Sequence, residues 1–223
     1  SNLTYAYADK GDGKGFLYTN EIPVPQLVGC DRKVKTRIVT LGDSVTQGCQ
    51  TSEFGYQFWA AQLLDQLGTE DYSLWNLGIG YARASDCARQ GNWLNRAVAG
   101  ADLITVAFGT NDIISGPYGG TGHATPEEIE ADVRKITRTC TDAGIHTILW
   151  NSPPFDMTPE LDGIRTAYNE TVEGIAKDNG ATYFDVASLL ADPSDASKTV
   201  YGQHPNDEGG TVIADALVKL IQE

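Results

Sequence analysis

Short apolar runs alternate with helical stripes along this chain, and the alternation predicts its fold. Arg37-Ile38-Val39-Thr40-Leu41 is a compact run ending at Gly42, the pattern of a buried strand. From about Gly55, the residues Tyr56, Trp59, Leu63 and Leu67 share one stripe at helical spacing. Strand patterns follow at Leu74 to Leu77 and Leu103 to Phe108. Thr125-Pro126-Glu127-Glu128 supplies an N-cap, a proline at the first helical position and a capping-box glutamate, so a helix starts there and stops near Gly144. Beyond it come a strand from Thr147 to Trp150 and a helix from Thr158-Pro159-Glu160 carrying Leu161, Ile164, Tyr168, Val172 and Ile175. A strand from Thr182 to Phe184 and a last helix from about Asp207 to Ile221 complete the pattern. Five strands alternating with helices imply an α/β fold: a three-layer α/β/α sandwich on a five-stranded parallel sheet, flavodoxin-like in plan.

Residues 1–34 depart from this rhythm. They are polar and glycine-rich (Gly11, Gly13, Gly15) before Pro23 and Pro25, and read as an extended arm that edges the sheet or is a linker remnant. Residues 35–223 form the domain. The low-complexity stretch Ser115 to Gly122 reads as a surface loop.

With 223 residues, 41% of them hydrophobic, the chain can bury one good core and nothing demands two. A formal charge of −14 argues against nucleic acid or an anionic membrane surface as the main partner and favours a neutral substrate. No apolar stretch is long enough to cross a bilayer, and Ser1-Asn2 opens without a basic, apolar signal region, so any targeting peptide has been removed or never existed.

The cysteines Cys30, Cys49, Cys87 and Cys140 show no C-x-x-C spacing, which speaks against a structural zinc site. Cys140 falls in register with Ile129, Val133 and Ile136 and reads as a buried thiol. Cys49 and Cys87 each follow a strand end by a few residues, so they could bridge in loops at the same end of the sheet; such a bridge would imply export.

Four short blocks stand where the chain leaves a strand or enters the final helix: Gly42-Asp43-Ser44-Val45, Asn76-Leu77-Gly78-Ile79-Gly80, Gly109-Thr110-Asn111-Asp112 and His204-Pro205-Asn206. Alone, Ser44 reads as a turn former or helix cap and Asn111 as a turn residue. In this order the blocks resemble the SGNH hydrolases, or GDSL esterases and lipases, over the chain from about Lys35 onward. The resemblance implies the SGNH hydrolase fold and ester hydrolysis by a serine nucleophile, with no metal and no cofactor. By position it makes Ser44 the nucleophile and His204 the base, with the oxyanion hole formed by the Ser44 and Gly80 backbone N–H groups and the Asn111 side chain. Family members often carry a glycine where this chain has Tyr81, so the second backbone donor could belong to Tyr81.

Two other histidines compete with His204. His146 opens a strand at the far end of the sheet from Ser44, and His123 lies in a flexible loop. The family's aspartate three residues before the histidine is missing, because the chain reads Tyr201-Gly202-Gln203-His204. An acid from elsewhere (Asp192 and Asp195 are nearest upstream), a carbonyl-oriented Ser-His dyad, or loss of activity would each account for that. Among the tryptophans, Trp59 and Trp150 read as core. Trp93 could stack on a sugar ring but fits packing better.

The expectation is therefore a serine esterase acting through an acyl-enzyme, secreted or extracellular, that removes acetyl or other short acyl groups from carbohydrate. Its partner is a small-molecule or carbohydrate ester, not nucleic acid, and it has no membrane span. A non-catalytic carbohydrate-binding or adhesion module, or a lipase or lysophospholipase-type member, is the competing reading. A phosphate-binding flavodoxin-like protein fits worse, since Leu41-Gly42-Asp43-Ser44 lacks the glycine spacing and lysine of a P-loop.

Overall fold

The computed structural model describes residues 7–9, 16–18, 33–49, 51–52, 57–89, 91–114, 123–192, 197–200 and 204–223. Two short strands, β1 (Tyr7–Asp9) and β2 (Phe16–Tyr18), pair antiparallel as a sheet of their own and do not extend the main one. The domain then runs β3 (Thr36–Gly42), α1 (Ser44–Gln47), α2 (Trp59–Leu67), β4 (Tyr72–Gly78), α3 (Ala84–Arg89), α4 (Gly91–Gly100), β5 (Leu103–Ala107) and α5 (Thr110–Ile114). It continues with α6 (Pro126–Asp142), β6 (His146–Trp150), α7 (Pro159–Asp178), β7 (Thr182–Phe184), α8 (Val186–Leu189), β8 (Thr199–Val200), β9 (His204–Pro205) and α9 (Asp207–Gln222).

Five strands form one parallel sheet in the order β4-β3-β5-β6-β7. The strand order reverses at β3, which places a crevice at the carboxyl ends of β3 and β5, where open α/β sheets bind ligands. Strand periodicity divides the apolar side chains between the two faces. Val39, Leu41, Ile104, Val106 and Leu149 join one core with residues of α3, α4, α6 and α7. Ile38, Leu103, Ala107, Ile148 and Trp150 join the other with α2, α8 and α9.

Local signals place the helix starts. Thr125 caps α6 with both halves of a capping box, and Thr158 caps α7 ahead of Pro159. The stripe expected from Gly55 becomes helical only at Trp59, with Phe58 as the cap and no side-chain capping bond. Tyr56 and the loop from Ser115 to Gly122 lie outside the described residues. Two helices between β4 and β5 were not predicted, because α3 is short and α4 carries only Leu94 and Ala97 as fully buried contacts.

Cys49, Cys87 and Cys140 are free thiols, so the bridge left open between Cys49 and Cys87 is not formed. Cys87 points into the core beside Cys140, and Cys49 Sγ donates instead to Gln47 Oε1 at 3.5 Å. Cys30 lies outside the described residues. Among the described residues, no helix is long and apolar enough to cross a membrane.

Candidate active site

Ser44 opens a one-turn helix directly after β3. Asp43 caps that turn, its Oδ1 accepting from the Val45 N–H at 2.9 Å. The helix lies so close to the sheet that glycine is needed beneath it: a Cβ on Gly78 would stand 2.7 Å from the Thr46 carbonyl carbon. Asn76 fastens the two together. Its amide donates to Thr46 O at 2.8 Å, while its Oδ1 accepts from the Gly78 N–H at 2.8 Å and the Thr40 hydroxyl at 3.0 Å.

His204 arrives from the opposite end of the chain. β9 pairs antiparallel with β8, and Asn206 caps α9 by accepting from the Gly209 N–H at 2.9 Å, so the imidazole is held between a strand pair and a helix start. Its Nε2 lies 2.8 Å from Ser44 Oγ. With Oγ donating, Nε2 is the unprotonated nitrogen and Nδ1 carries the hydrogen. Burial holds the His204 pKa below its usual 6.5, and the Phe155 ring meets the imidazole edge-on at 6.4 Å.

A turn after β4 forms the other wall. Ile79 N–H donates to Gly42 O at 3.0 Å, and Ala82 N–H closes a β-turn on Ile79 O at 3.1 Å. Tyr81 occupies the third turn position with φ of 65°, the value a type II turn demands and a glycine adopts most readily. A side chain held there costs about 1–2 kcal/mol. Among the described residues, the Ser44, Gly80 and Tyr81 N–H groups donate to no protein acceptor.

The Asn111 amide is committed elsewhere: Nδ2 donates to Ala82 O at 3.1 Å and to Asp43 Oδ2 at 3.3 Å. Asp112 accepts from the Ala84 N–H at 2.9 Å. Two carboxyls are thus buried behind the serine. Burial is the main cause of their shifts, raising Asp43 to about 7 and Asp112 to about 6. Both lay inside recognised blocks, yet nothing in the sequence alone distinguished their environment from that of a surface turn.

A serine hydroxyl 2.8 Å from an imidazole nitrogen, beside a turn whose N–H groups donate to no acceptor among the described residues, at the switch point of a parallel sheet, is an arrangement suited to acyl transfer. Residues 40–212 match the model of the GDSL-like lipase/acylhydrolase family. The chain belongs to that family. It is a carboxylic ester hydrolase. Solved GDSL-type structures share its fold. Acetylxylan esterase Axe2 from Geobacillus stearothermophilus superposes with a TM-score of 0.67 at 19% identity, covering 85% of this chain and 95% of that one. The acetyl xylan esterase AlAXEase gives 0.67 at 21% identity over 83% of this chain and 99% of its own. The psychrotrophic esterase EstA from Pseudoalteromonas sp., in a structure inhibited by monoethylphosphonate, gives 0.66 at 17% identity over 83% and 96%. Comparison with curated proteins finds no match.

Seen as a GDSL enzyme, the chain's missing aspartate becomes a geometric question. Among the described residues no carboxylate hydrogen-bonds to His204, whose one such bond there is to Ser44. Tyr201, Gly202, Gln203 and Asp195 lie outside the described residues. His146 bonds to Thr182 Oγ1 at the amino end of β6, and His123 is exposed. Trp93 is a packing residue: its Nε1 donates to Leu77 O at 3.2 Å and its ring meets Phe108 at 5.7 Å. Trp59 and Trp150 are buried against each other in the α2 and α9 layer.

Proposed function

We propose that this GDSL enzyme hydrolyses its ester through an acyl-enzyme on Ser44, with His204 as the proton carrier, and that it removes short acyl groups, acetyl foremost, from carbohydrate. The 2.8 Å contact between Ser44 Oγ and His204 Nε2 carries the reading. As Oγ attacks the ester carbonyl carbon, its proton passes to Nε2 and the carbonyl oxygen becomes an oxyanion. The imidazolium then protonates the leaving alcohol as the C–O bond breaks. Water attacks the acyl-serine, giving its proton to the same nitrogen, and the second collapse returns it to Oγ. The Ser44 N–H and the Gly80 or Tyr81 N–H face the oxyanion, and Asn111 joins them by turning one hydrogen away from Asp43, the longer of its two bonds.

Support for a short acyl group on carbohydrate comes from the acidic surface, which suits a neutral substrate, and from the structural likeness to acetylxylan esterases. A secreted location belongs to the same reading, because polymeric carbohydrate esters lie outside the cell. Steady-state hydrolysis of p-nitrophenyl acetate tests the mechanism: Ser44→Ala abolishes it, and an unchanged rate in that variant removes the proposal. A p-nitrophenyl acyl series tests the acyl preference, which is lost if octanoate is cleaved with higher kcat/KM than acetate.

A further inference from the structure

Among the described residues, the exposed large hydrophobic side chains are Ile79, Tyr81 and Ile114, and all three stand in segments leaving the carboxyl ends of the strands around the site. Tyr81 is the telling one. Its backbone is held at a φ of 65°, in a turn position where glycine or asparagine sits with less strain. Its side chain remains 58% exposed, so burial does not compensate for that strain. Among the described residues the ring has no aromatic partner and its hydroxyl no hydrogen bond. Strained residues that folding does not explain cluster where they touch ligands.

The turn also fixes where the ring stands. Ile79 N–H is tied to β3 through Gly42 O, and Ala82 O is tied to Asn111 Nδ2, so the segment is clamped on both sides of Tyr81 next to the nucleophile's strand. A Cβ on Gly80 would stand 2.7 Å from Gln47 Oε1, the tip of a side chain that would have to swing aside to admit it.

We propose that Tyr81 is a specificity-determining residue whose ring forms a stacking platform for the alcohol portion of the ester, the face of a sugar ring. This rests on the short-acyl carbohydrate reading: an acetyl group is too small to reach a side chain standing out from the rim, whereas the alcohol is the bulky part of such a substrate. Aromatic rings present a flat apolar face with a polar tip, which suits the mixed surface of a sugar.

The test compares acetyl esters of a small and a sugar alcohol, ethyl acetate and xylose tetraacetate, with wild type, Tyr81→Phe and Tyr81→Asn. Asparagine tolerates the left-handed backbone and lacks the ring. Tyr81→Asn is expected to raise KM for xylose tetraacetate about tenfold, as loss of one aromatic contact does, with kcat within about twofold. The ratio of its kcat/KM on xylose tetraacetate to that on ethyl acetate should fall about tenfold, a comparison in which any disturbance of the turn's N–H groups acts on both esters alike and cancels; Tyr81→Phe should keep most of the affinity. Equal losses on both esters would assign Tyr81 a structural role, and unchanged kinetics on the xylose ester would leave its ring without a substrate contact; either overturns the proposal. The wild-type acyl series separates the two readings, since a preference for octanoate defeats the short-acyl reading whatever the Tyr81 variants do.

Discussion

The Asn111 side-chain amide donates to the Ala82 carbonyl at 3.1 Å, and this bond joins α5 to the turn that carries Gly80 and Tyr81. In the proposed mechanism Asn111 serves the oxyanion in two ways, by holding that turn in place and by turning its other hydrogen away from Asp43. Asn111→Ala is expected to lower kcat by about 10²- to 10³-fold, the range for loss of an oxyanion donor, with KM for a small ester nearly unchanged. Steady-state kinetics on p-nitrophenyl acetate decide the point. A change confined to KM would place Asn111 in ground-state binding instead.

The proposed mechanism requires a neutral His204. Burial lowers its pKa below 6.5, so kcat/KM should rise with pH to a plateau, its acidic limb centred below the midpoint of a free imidazole. A pH-rate profile on an uncharged ester reads this directly. A midpoint above 6.5 would require a carboxylate partner that raises the histidine, the arrangement absent among the described residues.

The buried carboxyls make stability depend on pH in the opposite sense to a salt-bridged acid. Asp43 and Asp112 have folded pKa values of about 7 and about 6 against an ordinary 3.8, so in that window the native state binds more protons than the unfolded chain. Their contribution is complete below pH 3.8 and is lost as pH rises through 6 and 7. His204, with its lowered pKa, works the other way, but the carboxyls are two and are shifted further. Thermal unfolding at pH 5 and pH 8 should show the higher melting temperature at pH 5. Asp112→Asn, which keeps an acceptor for the Ala84 N–H, should flatten the difference.

Two kinds of glycine can be told apart by substitution. Gly163 lies inside α7, where an added Cβ meets nothing within 4 Å, so Gly163→Ala should stabilise by about 0.5–1 kcal/mol and raise the melting temperature by about 1–4 °C. At Gly78 the same methyl would press on the backbone of Thr46 and Gln47. Gly78→Ala should cost about 1–3 kcal/mol and displace the helix that bears Ser44, lowering activity as well. Calorimetry and a single ester assay check both.

Much of the fold was written in local signals. Thr125 and Thr158 announce their helices through capping chemistry, and the apolar runs of β3, β5 and β6 are long enough to read as buried strands. The α3 and α4 segment escaped because its helices bury few large side chains, so its apolar stripe is weak. The site divides in the same way. Ser44, Asn111 and His204 stand in recognisable blocks, and the structure brings Ser44 and His204 together across 160 positions. The left-handed backbone of Tyr81, the bracing by Asn76 and the burial of Asp43 and Asp112 arise from tertiary contacts that no local pattern encodes. Whether Cys49 and Cys87 bridge was open for the same reason, since equal placement relative to strand ends does not bring two side chains to face each other, and in the structure both are free thiols.

Active-site labelling tests the central claim most directly. A fluorophosphonate reacts with a serine only when a base draws off its proton, so intact-mass and peptide mass spectrometry of the treated protein report the state of the hydroxyl itself. One adduct per chain on the peptide containing Ser44, absent in Ser44→Ala and strongly slowed in His204→Gln, is the predicted result. An unlabelled wild-type protein, or labelling that persists after Ser44→Ala, contradicts the account.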